Sequence, residues 1–517
     1  METSFEQRYG DRIVGTLTMI DRMIVNGYVL GLFPPGAFSR FLGYQGVRVE
    51  EFSRYVQRAS ETVRTRAKQI AEKSGRPFTY LAHATKGKDK LAKQIAERDG
   101  IKEGLICVFS TLEMRNCFAV WRYPREGNIG VGRRMRKCLH LYFYLIDREL
   151  GFMYVRLQTW FPFEVQIYVN GHEWLARQLD RRGVAYERYD NALLQIEDLK
   201  LARKLCEGFV RRKWSRVWDA FARRVNPWLK VLVRHGMGGY YWVTDQCEIA
   251  TDVMWRDRAS LAAVVDDLFD HAIRAFSADD VMRFLGREPS RRFKGEVVTD
   301  HKRRPEGRRI KHRLRRNWLK FYDKYSVLRI ETTINNPREF KVLKVIKDRR
   351  GRKHRRWVEM GKGVANLWRY FQVGERANRR YLQALAQVQP RRQAIVELDR
   401  LCHGRMVSGR RCARFNPVSA RDCELFKAVL HGAHAINGLR NRDLTARLYP
   451  TTPRTPAEAG RRCARVSRLI AKLRGHALLA KVPGSRLYRV TPRGQRVLSA
   501  ALRFRNLDFP TALAEAA

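Results

Sequence analysis

Extended runs that follow one another through turns of only a few residues constrain this chain most. Leu105 to Ser110, Cys117 to Tyr123, Lys137 to Ile146, Met153 to Thr159 and Phe163 to Val169 form one group; Phe293 to Thr299, Arg308 to Leu314, Trp318 to Tyr322 and Val327 to Asn335 form another. Strands joined so closely pair antiparallel, because a parallel pair needs a crossover of about a dozen residues or more. Between and around these groups the apolar spacing turns helical. Val49, Phe52, Tyr55, Val56 and Val63 recur with the period of a helix over Val49 to Lys73, and the whole stretch from Phe5 to about Arg98 reads as mainly helical. Ala259 to Ala275 is a further helix, and Ser277-Ala278-Asp279-Asp280 caps the next. The class predicted is α+β and multidomain: a helical region over 1–100, an antiparallel-sheet domain over 101–235, a second over 236–390, and a linker with a small helical domain over 391–517. Asn226-Pro227 and Gly236 to Gly239 mark the middle boundary, Gln389-Pro390 the last, and Lys347 to Arg356 reads as a basic loop. No internal repeat is legible.

Charge narrows the partner. The 517 residues hold 103 Lys and Arg against 52 Asp and Glu, a formal net charge of +51. Such an excess repels itself unless a polyanion compensates it, and nucleic acid is the natural one. A hydrophobic content of 44% requires large buried cores and excludes a solvated basic tail. There is no apolar run of the roughly 18 residues that a membrane span needs, and the start, Met1 to Arg12, lacks the apolar stretch of a secretory signal. The expectation is therefore no membrane partner and a place in the cytoplasm or nucleoid. The nine cysteines show no pair at zinc-ligand spacing and read as free thiols.

The C-terminal quarter has its own pattern, from Asn437 to Gly494. Arg442 to Tyr449 suits a short helix, and a turn with Pro450, Pro453 and Pro456 follows. In the longer helix beyond it, Val466, Leu469, Ile470 and Leu473 fall on one face while Arg461, Arg462, Arg465, Arg468, Lys472 and Arg474 occupy the remainder. Two short extended runs, Leu478 to Val482 and Leu487 to Val490, flank Pro483-Gly484-Ser485-Arg486, and Thr491-Pro492 opens a closing helix. The segment resembles MarR-like winged helix-turn-helix domains, notably in Leu478 to Val482 and Tyr488 to Gly494. That resemblance implies duplex DNA binding, with Arg440, Arg442, the helix cations just named, Lys481, Arg486 and Arg489 as candidate contacts.

Chemistry is concentrated in the second strand group. Strict alternation over Val327 to Asn335 puts Arg329, Glu331 and Thr333 on one face; Lys320, Tyr322 and Lys324 share a side of the preceding run, and Lys311 and Arg313 a side of the one before. Upstream, Glu248 and Asp252 are four apart, which one helical turn would bring together. Tyrosine, carboxylates and cations are what phosphoryl transfer to a tyrosine uses. Phe321-Tyr322-Asp323-Lys324 with Leu328-Arg329-Ile330-Glu331, within 310–335, is similar to paired strands of rolling-circle replication initiators of plasmids and filamentous phages. The resemblance implies a nickase with Tyr322 as nucleophile, Glu331, Lys311 and Lys324 around it, and Mg2+ or Mn2+ held by Glu248, Asp252, Glu331 and His312. That family's pair of histidines flanking one hydrophobic residue is absent here.

In the first strand group, Arg156, Gln158, Trp160, Gln166 and Tyr168 interleave cations, amides and aromatics, so Arg156 and Trp160 are candidate contacts to a single strand. His172 reads as a helix-start capping or surface residue. Three functions stay open: a DNA-binding protein of bacterial or mobile-element type, a metal-dependent DNA nickase or strand-transferase, and an RNA-binding ribonucleoprotein component. No nucleotide triphosphate site is predicted, and neither oligomeric state nor target is legible.

Overall fold

The computed structural model describes residues 4–34, 36–82, 87–122, 129–289, 293, 295–304, 307–348, 351–388, 391–407, 409–432, 434 and 438–516. They form two compact units, Met1–Val388 and Gln389–Ala517. The last boundary expected from the sequence falls at this division. Those near 100 and 235 fall inside the first unit, because the two strand groups are parts of one sheet.

Among the described residues, thirteen strands lie in the first unit before residue 335: β1 (Ile13–Val29), β2 (Phe78–Tyr80), β3 (Gly104–Arg122), β4 (Ile129–Asp147), β5 (Gly151–Gln158), β6 (Val165–Asn170), β7 (Tyr186–Tyr189), β8 (Ala192–Ile196), β9 (Tyr240–Trp255), β10 (Val297–Arg304), β11 (Gly307–Leu314), β12 (Asn317–Lys324) and β13 (Val327–Ile334). Eleven of them form one sheet in the order β10-β11-β12-β13-β9-β1-β6-β5-β4-β3-β2, while β7 and β8 pair as a separate hairpin. Within the large sheet every described pairing is antiparallel except β2 with β3.

The order contains a repeat that the sequence conceals. A long strand leads into helices, then into a four-strand meander whose last strand returns beside the first: β1 with β3 to β6, and β9 with β10 to β13. Antiparallel pairing of β1 with β9 joins the halves about an approximate two-fold axis. The region from Phe5 to Arg98 is mainly helical, as expected, but it also holds a long strand that the sequence reading did not give. β1, seventeen residues long, is at the middle of the sheet; Met23, Val25, Gly27 and Val29 are buried and alternate with the half-buried Ile24, Asn26 and Tyr28. Apolar residues occur on both of its faces, Ile24 and Tyr28 as well as Met23 and Val25, so a clean apolar–polar alternation is missing from the sequence.

One face of the sheet carries the main cores. Val108, Phe143, Val155 and Ile167 of the first half pack in a cluster with Val56, Ala59 and Val63 of helix Phe52–Lys73. Ile310, Phe321 and Ile330 of the second half pack with Leu268, Phe269, Tyr381 and Leu385, from helices Arg258–Ala275 and Leu367–Leu385. Ser277 caps the helix Ala278–Phe284 as read from the sequence, with the reciprocal Asp280 bond. The other face is more polar and carries the site described below. Of the stretch read as a basic loop, Lys347 to Arg356, Asp348, Gly351 and Arg352 belong to a turn, Arg349 and Arg350 lie outside the described residues, and the rest belongs to a two-stranded ribbon, β14 (Lys341–Lys347) and β15 (Lys353–Glu359).

The second unit contains helices Arg391–Cys402, Ala420–Val429, Asn441–Leu448, Pro456–Gly475 and Pro492–Arg503, with hairpins β16 (Arg405–Val407) with β17 (Arg410–Cys412) and β18 (Leu479–Lys481) with β19 (Tyr488–Val490). Leu444, Val466, Ile470, Leu473, Leu479 and Leu498 share its core, and Leu439 adds a bridge to Tyr488. Thr455 caps the long helix with Pro456 in its first turn, and Thr491 caps the closing one before Pro492. The anticipated start at Asn437 and the Gln389-Pro390 transition lie outside the described residues.

Candidate active site

The site is centred on a bulge in β1. Pairing with β9 steps from Ile20 opposite Ile249 to Arg22 opposite Glu248, so Asp21 is an extra residue. A bulge breaks the alternation and re-aims side chains. Here it sends both Asp21 and Arg22 toward the polar face: Asp21 is buried against His172, and Arg22 reaches Glu248 at 3.6 Å while staying half exposed. His172 owes its position to the helix Gly171–Asp180. Asn170 ends β6 and caps that helix by accepting from the His172 and Glu173 amides. Gly171 then lies so close to β1 that a Cβ there would fall 1.8 Å from the Ile20 carbonyl oxygen.

Two linked groups result. In the inner one, His172 Nδ1 donates to Asp21 at 2.7 Å, and its Nε2 is 3.2 Å from Asp252 and 2.8 Å from Arg329 Nη2. Arg329 grips Asp252 through two nitrogens, at 2.5 and 2.7 Å, and donates to the Asn191 carbonyl; Asn191 in turn donates to Asp21. Arg329 has no exposed surface, and fork-to-carboxylate pairing of this kind is what keeps a buried guanidinium charged. Burial opposes ionisation of Asp252, but Arg329 and His172 outweigh it and its pKa is lowered. Burial and the Arg329 charge oppose the imidazolium of His172, yet Asp21 and Asp252 win and its pKa is raised.

In the outer group, Glu331 accepts from Tyr322 Oη at 2.5 Å and from Lys320 Nζ, and Lys320 also donates to Glu248 at 3.0 Å. Alternation on β12 and β13 places these side chains on one face, and the register aligns them: Lys320 faces Glu331, Tyr322 faces Arg329, and Arg329 faces Asp252. Burial, then the neighbouring Glu331, raises the Glu248 pKa, while burial and the same Glu331 push the Tyr322 phenol well above its ordinary value. Burial works against the Lys320 ammonium, but Glu331 and Glu248 hold it charged. Oxygens of Asp21, Glu248 and Glu331 all lie within 4.8 Å of one another. A cleft of about 340 Å³ opens over them, rimmed by Lys93, Arg304, Arg308, Arg309 and Lys324.

Several residues singled out from sequence meet here and others do not. Glu248, Asp252, Glu331 and Tyr322 converge. Glu248 and Asp252 do so from one face of the strand β9 rather than from a helical turn, and Asp252 is engaged by Arg329 and His172 instead of joining the oxygen cluster. His312 is on the opposite face, where it bonds Thr299 and Tyr381 and burial lowers its pKa to about 4. An even-numbered residue of β11 faces away from Lys311 and Arg313, so it cannot meet the carboxylates. Lys311 sits one strand beyond them, over the Trp318 ring at 3.5 Å, and Lys324 pairs with Asp190 at 2.9 Å.

Arg156 and Trp160 are not open contacts. Arg156 is 6% exposed and paired with Glu113 at 3.3 Å, and the Trp160 indole donates to the Phe118 carbonyl while its ring packs on the main core. Sequence reading missed Asp21, Arg22, Asn191 and the role of His172. The available signal was Asp21-Arg22 itself, two charges inside the apolar run Leu17 to Val29, where buried charge needs a reason.

In the second unit Arg440, Arg442, Arg461, Arg465, Arg468, Arg474, Lys481, Arg486 and Arg489 are exposed. Arg462 is held by Glu458 and the Thr451 carbonyl, and Lys472 is drawn to Asp422 and the Phe415 ring.

Compared with known proteins, the chain matches no protein-family model, no curated protein and no solved structure.

Proposed function

We propose that the protein is a DNA strand-transferase that cleaves and rejoins one strand through Tyr322. The observation that carries this reading is the convergence of Tyr322 Oη, Lys320 and three carboxylates at the base of a cationic cleft. In the proposed step the Tyr322 oxygen bonds to phosphorus and displaces a sugar oxygen. The phenol proton passes to Glu331, the departing oxygen takes a proton from solvent, and a second attack by a strand hydroxyl reverses the exchange. No net oxidant or energy source is required, because one phosphodiester replaces another.

The raised phenol pKa explains why a cation is needed. A carboxylate against the hydroxyl disfavours the phenolate, and positive charge placed among Asp21, Glu248 and Glu331 reverses that bias. All-oxygen carboxylate donors fit Mg2+ or Mn2+, which would supply Lewis-acid polarisation of the phosphate. Such an ion would compete with the Lys320 ammonium for Glu248 and Glu331. Arg22 and the rim cations hold the strand, and the Arg329–Asp252–His172 group keeps Asp21 in place.

The second unit supports a companion role in duplex binding: its short helix, long cationic helix, hairpin and closing helix follow the winged-helix order, and the cations named for that role are largely exposed. The test is incubation with supercoiled and single-stranded DNA plus Mg2+ or Mn2+. Nicked circles and a covalent protein–DNA adduct are expected from the wild type, and neither from Tyr322→Phe. An adduct that survives Tyr322→Phe overturns the assignment of the nucleophile, and RNA bound in preference to matched DNA overturns the choice of substrate.

A further inference from the structure

The ribbon β14–β15 is separate from the cleft residues and unlike the rest of the first unit in composition. Its nineteen residues, Lys341 to Glu359, contain nine Lys and Arg against two acids. Its root is fixed. Val342 is buried in the main core beside Phe340 and Met360, the Met360 amide donates to the Phe340 carbonyl, and Arg369 donates to the Lys341 carbonyl while lying over the Trp357 ring. Beyond the root the strands are exposed on both faces. Lys344, Lys347, Lys353, Arg355 and Arg356 make no ion pair among the described residues.

Register sorts the side chains. Leu343 faces Trp357, Val345 faces Arg355 and Lys347 faces Lys353 along one face. On that face Leu343, Val345 and Trp357 are 39, 60 and 52% exposed. A free-standing pair of strands has no core of its own to hold apolar side chains in water, and strands of seven residues extend roughly 23 Å. Apolar groups between cations, on a ribbon narrow enough for a groove about 12 Å wide, match the edges and walls of B-form DNA.

We propose that β14–β15 is a duplex-reading arm that lies in a groove of double-stranded DNA. Its cations contact phosphates on either wall, and Val345 and Trp357 meet base edges or sugars. The inference rests on the reading of the protein as DNA-acting, but it assigns the arm to duplex and the Tyr322 cleft to the single strand. Deep, narrow A-form grooves exclude such a ribbon, so double-stranded RNA is not its partner.

The test compares the full-length protein with Lys347→Ala/Lys353→Ala/Arg355→Ala, using fluorescence anisotropy on a duplex DNA, the matched duplex RNA and a single strand over a salt series. Each phosphate contact contributes about 0.9 to the log–log salt slope, so the triple variant is expected to lose about 3 from the slope on duplex DNA. Its adduct formation on single-stranded DNA should stay as in the wild type. A Val345→Ser/Trp357→Ala variant should weaken duplex binding with an unchanged slope. Wild-type slope and affinity for duplex DNA in the triple variant overturn the proposal, as does an equal loss on duplex RNA or on the single strand. Absence of cleavage by the wild type would count against the Tyr322 reading and leave the duplex measurement decisive for the arm.

Discussion

At the scale of single residues, the inner group is built so that each charge needs its partner. Arg329 has no exposed surface and is satisfied by Asp252, Asn191 and His172. Replacing it with Met leaves Asp252 buried with only the His172 imidazole as partner. That change should cost about 3–5 kcal/mol, read as a lowered urea midpoint, whereas Glu331→Gln should abolish adduct formation with a smaller loss of stability. If Arg329→Met melts like the wild type, the network does not support the fold.

His312 gives a pH dependence elsewhere. Burial holds its folded pKa near 4, below the ordinary value, so the unfolded chain binds a proton first as pH falls. Its contribution is present in full above about pH 6.5 and lost on going down toward 4, by up to roughly 3 kcal/mol. His312→Gln should be less stable at neutral pH but lose less between pH 7 and 5. Parallel pH curves for the two proteins would refute this.

Elements place these residues, and the bulge in β1 is the critical one. Gly171 touches the strand beside it, with no room for a methyl group against the Ile20 carbonyl. Gly171→Ala should push helix Gly171–Asp180 off β1, destabilise by about 1–3 kcal/mol and reduce adduct formation by moving His172 from Asp21. Unchanged activity in that variant would mean that the helix start does not position the site.

The same element explains what sequence could and could not convey. Alternation of residue type made the two faces of β13 legible, and Tyr322 and Glu331 were found because a period of two is a local signal. β1 was not legible, since apolar residues on both of its faces blur that period and the bulge then shifts its parity, hiding Asp21. Glu248 and Asp252 were grouped for a helical reason that the strand β9 replaces. His172 was missed because its partners are 151 and 80 residues away in the chain. The inner ends of the ribbon strands were taken for a loop because Lys347 to Arg356 contains no apolar residue that could show a period.

For the molecule as a whole, the division at 388 and 389 predicts that residues 391–517, made alone, melt cooperatively around the core of Leu444, Val466, Ile470 and Leu498. That fragment should bind duplex DNA, and Arg461→Ala/Arg465→Ala/Arg468→Ala should lower its salt slope by about 3. A fragment that folds but ignores duplex DNA would remove the winged-helix role and leave the cleft reading standing. Within the first unit, one continuous sheet of two like halves means that neither half is a separate domain, which is why composition shifts near 235 did not mark a boundary.

The order in which β1 acquires its neighbours has one more outcome. Asp21 precedes its second flanking strand by more than 200 residues, and Glu331 follows last of the acidic trio. The three carboxylates thus come together only after translation has passed β13, and the proposed cleavage has to wait for that point.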